Sequence, residues 1–196
     1  RRRLVGEGGE QVEIGGGERP HHILMVDRPM EGDPLAQAEI IDECFELLTL
    51  IQTGKEPPVP VVLFEPEGDG YWRLWKDFVE EELLDAGLIS PVDLDLARIT
   101  SSVDEALDYI DGFYRVFHSI RYVDGRLVIR LEHDVDDATL DHLNSEFADI
   151  VTSGGIERTT ALPAEIDDDD EVWRPRLIMS FDNRHFGRLH QLVQSL

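Results

Sequence analysis

Apolar side chains recur at helical spacing through Ile40, Ile41, Cys44, Phe45, Leu47, Leu48 and Ile51, while Asp42, Glu43, Glu46 and Thr49 gather on the other side. The pattern predicts an amphipathic helix over residues 39–55. Its stop is Thr53-Gly54-Lys55, with a glycine available for a left-handed cap and a lysine at the negative end of the helix dipole. Short continuous apolar runs flank it, HHILMVD at 21–27 and VPVVLF at 59–64, each of the kind a buried strand shows. A helix over 71–84 follows, with Trp72, Trp75, Phe78, Val79 and Leu83 on one face and Gly87 as its cap. Residues 94–100 are a weaker strand, interrupted by Asp95 and Arg98. Ser101 or Ser102 then caps a helix through Val103, Leu107, Ile110, Tyr114 and Phe117. Alternation of strand and helix at this spacing predicts right-handed crossovers and a parallel sheet.

The rhythm changes after Ser119. Residues 120–123 and 126–131 flank Asp124-Gly125, a two-residue turn that predicts a β-hairpin. A helix follows through Leu140, Leu143, Phe147 and Ile150, ended by Gly154-Gly155. Residues 156–162 and 176–181 read as strands on either side of a long acidic loop, and Asn183 caps a final helix through Phe186, Leu189, Leu192, Val193 and Leu196. The expected class is α/β: a partial Rossmann-like parallel sheet with helices on both faces, followed by a small α+β appendage. The expected organisation is a glycine-rich arm at 1–20, an α/β domain at 21–118 and the appendage at 119–196.

Charge narrows the partners. Forty-two acidic against 18 basic residues give a net charge of -24, which argues against nucleic acid or an anionic membrane as a partner. No run is long enough for a transmembrane helix and no secretory signal is evident, so a cytoplasmic protein is expected. The one cysteine, Cys44, excludes an internal disulfide, and its place on the apolar stripe marks a buried thiol, not a nucleophile. Neither metal nor cofactor is expected. His21 and His22 are adjacent and point to opposite faces of a strand, and Asp167 to Glu171, five acids in a row, lack an EF-hand pattern and are expected as a solvated loop. Gly15-Gly16-Gly17 lacks dinucleotide-fingerprint spacing and precedes a strand-like run, so it reads as a flexible arm. The chain begins at Arg1, not Met, and is expected to be a fragment, a processed product or part of a longer reading.

DECFELLTLIQTGK, followed in order by PVVLF, DGYW, LLDAGLISPVDLDL and ITSSVDEALDYI, resembles the LOG (LONELY GUY) family, long labelled lysine decarboxylases. FYRVFHSIRYVDGRLVIRL, NSEFADIV, GGIERTTALP and FGRLHQLV resemble the C-terminal extension of its longer bacterial members. The resemblance implies a dimeric Rossmann-like protein that hydrolyses the N-glycosidic bond of a nucleoside 5'-monophosphate, AMP or a cytokinin riboside monophosphate, without metal or redox cofactor. The family hallmark P-G-G-x-G-T-x-x-E, anchored on Lys55, places its final glutamate on Glu43, which the resemblance makes the electrostatic stabiliser, with Glu46 supporting it from behind. Leu35, Ala36, Gln37, Ala38, Glu39 and Ile40 stand where the family has P-G-G-x-G-T, and neither Arg19 nor Arg28 can be assigned as its catalytic arginine. Side chains in place of glycine obstruct close approach to phosphate, and Glu39 would set a negative charge against it. Two histories account for this: a diverged member that has lost catalysis, or a foreign or misread N-terminus joined to a true C-terminal half. Both predict weak or absent hydrolysis, and the competing reading is a non-catalytic scaffold or dimerisation module.

Overall fold

The computed structural model describes residues 24–27 and 34–196, and for 24–27 and 34–37 the backbone alone. The glycine-rich arm with Gly15-Gly16-Gly17, Arg19, His21 and His22 lies outside the described residues, as does Arg28. The chain divides into two compact units, residues 1–110 and 111–196.

In the first unit, strands β1 (Leu24–Asp27), β2 (Val61–Phe64) and β3 (Ala97–Thr100) form a parallel sheet in that order, Leu24 beside Val61 and Val61 beside Ala97. Val61, Val62 and Leu63 are fully buried, as the apolar run predicts for a strand covered on both faces. Helix α1 (Pro34–Gln52) joins β1 to β2 and starts earlier than the periodicity predicts, with Pro34 at its first position, where a missing N–H costs nothing. Its stop is the expected one. Gly54 adopts φ 68°, the Gly54 N–H donates to Ile51 O at 3.0 Å and the Lys55 N–H to Leu50 O at 2.9 Å, the two bonds of a Schellman cap.

The helix expected over 71–84 is in two parts. Helix α2 (Tyr71–Phe78) continues as a π-helical turn, Val79–Leu84, closed by a second Schellman pair, Leu88 N–H to Leu83 O and Gly87 N–H to Leu84 O. The strand expected over 94–100 is shorter. Ser90 and Asp93 cap a 3-10 turn at Pro91–Leu96, and the chain extends only from Ala97. Helix α3 (Val103–Tyr114) follows and runs across the division between the units.

The second unit is an antiparallel sheet. Strands β4 (Phe117–Val123), β5 (Arg126–Leu131), β6 (Val151–Thr159) and β7 (Arg176–Phe181) pair in the order β4-β5-β7-β6. Asp124 and Gly125 both take positive φ, 51° and 78°, as the expected two-residue hairpin requires. On one face Leu127, Ile129, Leu131, Leu177 and Met179 join helices α4 (Asp137–Glu146) and α6 (Phe186–Gln194) in the main core. Gly154-Gly155 does not end a helix. The two glycines sit inside β6 at a register shift, Gly154 at φ 70°, and a Cβ on Gly155 would lie 2.8 Å from Asn144 Oδ1, which accepts the Ile156 N–H. Helix and bulge both call for a left-handed glycine. Asn183 does not cap α6; it accepts from the Tyr122 hydroxyl, and His185 precedes the helix.

The other face of this sheet carries arginines. Register sets Arg130 directly opposite Arg176, a like-charge pair that is unfavourable by itself. Helix α5 (Pro163–Asp167) supplies the answer in Glu165, fully buried, whose Oε1 accepts from Arg130 at 2.8 Å and Oε2 from Arg176 at 3.1 Å. Burial pushes the Glu165 carboxyl up, but the Leu162 N–H and the two guanidiniums outweigh it and hold it below the usual carboxylate range. The acid run is the solvated loop expected only in part: Asp167, Asp168 and Asp169 are exposed, but Asp168 and Asp170 pair with Arg121, Asp170 also with Arg130, and Glu171 with Arg174.

His190 of α6 is fully buried beside Phe113, ring centroids 5.2 Å apart, with no hydrogen-bond partner on either ring nitrogen. Burial lowers its pKa to about 4. It folds neutral, so between an unfolded value of about 6.5 and about 4 the unfolded chain binds the extra proton and stability falls as pH falls, by about 3 kcal/mol once both values are passed. Carboxylates held low, such as Glu165, lose stability in the same direction. The His190→Phe variant should therefore lose less stability than the wild type across this window, a difference read by urea unfolding at a series of pH values; parallel curves would contradict the assignment.

Candidate functional site

The C-terminal half of α1 does the packing. Cys44 and Ile51 are buried, with Ile40, Leu47 and Leu48 packed beside them, and burial drives the Cys44 thiol up to about 12, so it stays protonated and unreactive. Glu43 and Glu46 project from the exposed side of the same helix, as do Glu39 and Asp42. Glu43 and Glu46 are three positions apart, which places them on neighbouring turns. Residues 35–40, where phosphate-binding glycines would stand, are helix: from Ala38 onward the amides fall to backbone carbonyls four residues back. Pro34 has no N–H, so at most the amides of Leu35, Ala36 and Gln37 are left without helical partners.

Ligands of open α/β sheets bind outside the carboxyl ends of the strands. At that edge of this sheet stand Glu65, just past β2, and Thr100, the last residue of β3, both buried. Glu65 Oε2 accepts the Trp72 N–H at 2.8 Å, stabilising the positive end of α2, and its Oε1 lies 3.4 Å from Arg73 Nε. The Trp72 indole N–H donates to Phe64 O at 3.1 Å. Thr100 Oγ1 donates to Glu105 Oε2 at 2.6 Å and accepts the Ser102 N–H. Sequence reasoning passed over Glu65; its signal is a carboxylate set directly after the buried VVLF run, a place where an acid must find donors.

A cavity of about 430 Å³ opens elsewhere in the unit, lined by Phe45, Leu48, Trp75, Val79, Leu96 and Ile99 with Lys76 and Arg98. This volume is within the ordinary range for small-molecule sites. Phe45, Leu48 and Gln52 reach it from α1, about half a helical turn round from Glu43. Neither Glu43 nor Glu46 lines it. Among the described residues no three His, Cys, Asp or Glu side chains converge as a metal site, and no helix is long and apolar enough to cross a membrane.

Residues 40–110 match the family model described as possible lysine decarboxylase, so the resemblance to the LOG family holds over this stretch, which lies within the first unit. No curated protein matches the chain.

The different placements of the acids predict different costs. Glu65→Ala leaves the buried Trp72 N–H without its acceptor and should lose about 1–3 kcal/mol. Glu43→Ala and Glu46→Ala, on an exposed helix face, should stay within about 0.5 kcal/mol of wild type. Urea unfolding measures all three, and a large loss at Glu43 would contradict its exposed position.

Proposed function

With residues 40–110 matched to the LOG family, we infer that this chain is a nucleotide-binding unit of the nucleoside 5'-monophosphate phosphoribohydrolase type whose hydrolysis is impaired. The chemistry asks for two things. Cleaving the N-glycosidic bond builds positive charge on the ribose ring, which a nearby carboxylate stabilises, and the 5'-phosphate must be held by backbone amides at a helix N-terminus. Glu43 meets the first requirement, with Glu46 as its supporting acid. The observation that carries the impairment is the helical conformation of residues 35–40: the amides of Ala38, Glu39 and Ile40, which a glycine loop would turn toward phosphate, are committed to intrahelical bonds, and Glu39 is exposed on the same turns.

On this reading the ligand is a nucleoside monophosphate, the protein works in the cytoplasm as a homodimer, and neither metal nor cofactor takes part. A non-catalytic scaffold or dimerisation module is the second reading, favoured by the exposed apolar side chains Leu74, Phe78 and Leu88 of the first unit.

Incubation with AMP should release ribose 5-phosphate at no more than background rate, and Glu43→Ala should change nothing. Installing the glycine motif through Leu35→Pro, Ala36→Gly, Gln37→Gly, Glu39→Gly and Ile40→Thr should create AMP binding measurable by calorimetry. Wild-type turnover abolished by Glu43→Ala would overturn the impairment; a folded motif variant blind to AMP would overturn the nucleotide reading itself and leave the scaffold.

A further inference from the structure

The arginine face of the second unit carries more positive charge than Glu165 alone answers. Glu165 bridges Arg130 and Arg176 from within and offsets one of their two charges. Arg130 also turns Nη1 and Nη2 to the Asp170 carboxylate, at 3.2 and 2.6 Å. Arg121, on the neighbouring strand, donates to the same Asp170 Oδ2 at 2.6 Å through Nη1 and to Asp168 through Nη2. Two guanidiniums thus converge on one locus from β4 and β5.

That locus is at the solvent margin. Asp168 is 58% exposed, Asp170 35% and Arg121 27%, whereas Arg130 behind them is 6% exposed. The loop backbone is held independently, since Arg176 donates to the carbonyls of Asp170 and Glu171. The Asp168 and Asp170 side chains can therefore swing out without unfolding the loop. Their departure would leave Arg121, Arg130, Arg174 and Arg176 against Glu132, Glu165 and Glu171, a local positive excess in a chain of net charge -24.

We propose that Arg121 and Arg130 form a binding site for a small soluble phosphate dianion or condensed phosphate, and that the Asp168 and Asp170 carboxylates occupy it as a tethered stand-in. Each carboxylate oxygen now present represents a phosphate oxygen, and the planar fork of arginine suits phosphate as it does carboxylate. Arg130 is the fixed wall, oriented by Glu165; Arg121 is the accessible one. Tethering gives the aspartates a high effective concentration, so the wild-type chain binds free phosphate weakly and the site becomes evident when the stand-in is removed.

Inorganic pyrophosphate, which carries no base or ribose, keeps the test separate from the nucleotide reading of the first unit. Calorimetric titration at low ionic strength compares the wild-type chain, Asp168→Asn/Asp170→Asn, and that double variant with Arg121→Gln added. The double variant should bind about tenfold tighter or more than wild type, and the added Arg121→Gln should abolish the gain. A folded double variant binding no tighter than wild type overturns the proposal, as does a gain that survives Arg121→Gln. Should the double variant fail to fold, Asp168→Asn alone, at the more exposed position, should tighten binding about threefold, and no tightening there overturns the proposal equally.

Discussion

Glu165 between Arg130 and Arg176 is the interaction on which the second unit turns. The β5–β7 register that buries Leu127, Ile129, Leu177 and Met179 on one face also sets two guanidiniums opposite each other on the other. The repulsion cannot be relieved by a slip, because a one-residue shift of β7 would carry Arg176 into the apolar core. The sheet therefore requires a buried anion delivered from outside, and α5 with the loop after it exists in this form to deliver one. Such a triad adds little net stability, since three desolvated charges cost nearly what their attraction returns, but removing its centre would cost about 3–5 kcal/mol. Its product is specificity: one placement of α5, and with it one path for the backbone of the loop that follows.

The first unit answers to a different constraint, the termini of α1. Its C-terminal end is determined by local chemistry, a glycine that reaches φ 68° and two carbonyls that need donors. At its N-terminal end Pro34 holds the first position, where its missing N–H costs nothing. The parallel sheet depends on the first of these ends, because the Schellman cap reverses the chain into Pro57 and Pro58 and so into β2.

What could be read from the sequence was local. The hairpin at Asp124-Gly125, the stop at Gly54 and the burial of Cys44 follow from spacing and turn chemistry within a few residues, and the parallel sheet from the alternation of strand and helix. The failures have one cause in common. Gly154-Gly155 as a helix stop and as a strand bulge make the same demand on φ, and only the Asn144 side chain, docked on Ile156, decides between them. Asp168 and Asp170 look solvated in sequence because their partner is far along the chain, Arg121 being 47 residues from Asp168 and 49 from Asp170. Glu65 shows in the sequence only as an acid after a buried run, and its role does not, because the Trp72 amide that donates to it becomes a helix terminus only once α2 has formed. Of the candidate site, Glu43 and Glu46 were legible as helix-face acids, while their role came from resemblance.

The division of labour along α1 bears on how a catalytic loop can be lost without loss of fold. Packing resides at Cys44, Leu47, Leu48 and Ile51, and the turns before Ile40 contribute exposed positions at Ala38 and Glu39. Helical turns at Ala38 and Glu39 therefore leave the core untouched, and by forming ordinary backbone hydrogen bonds they satisfy amides that an empty phosphate loop would leave to water. On the proposed reading, the fold does not oppose the loss of the phosphate clamp. The helix that carries Glu43 is then needed for packing, whatever becomes of the chemistry at its N-terminus.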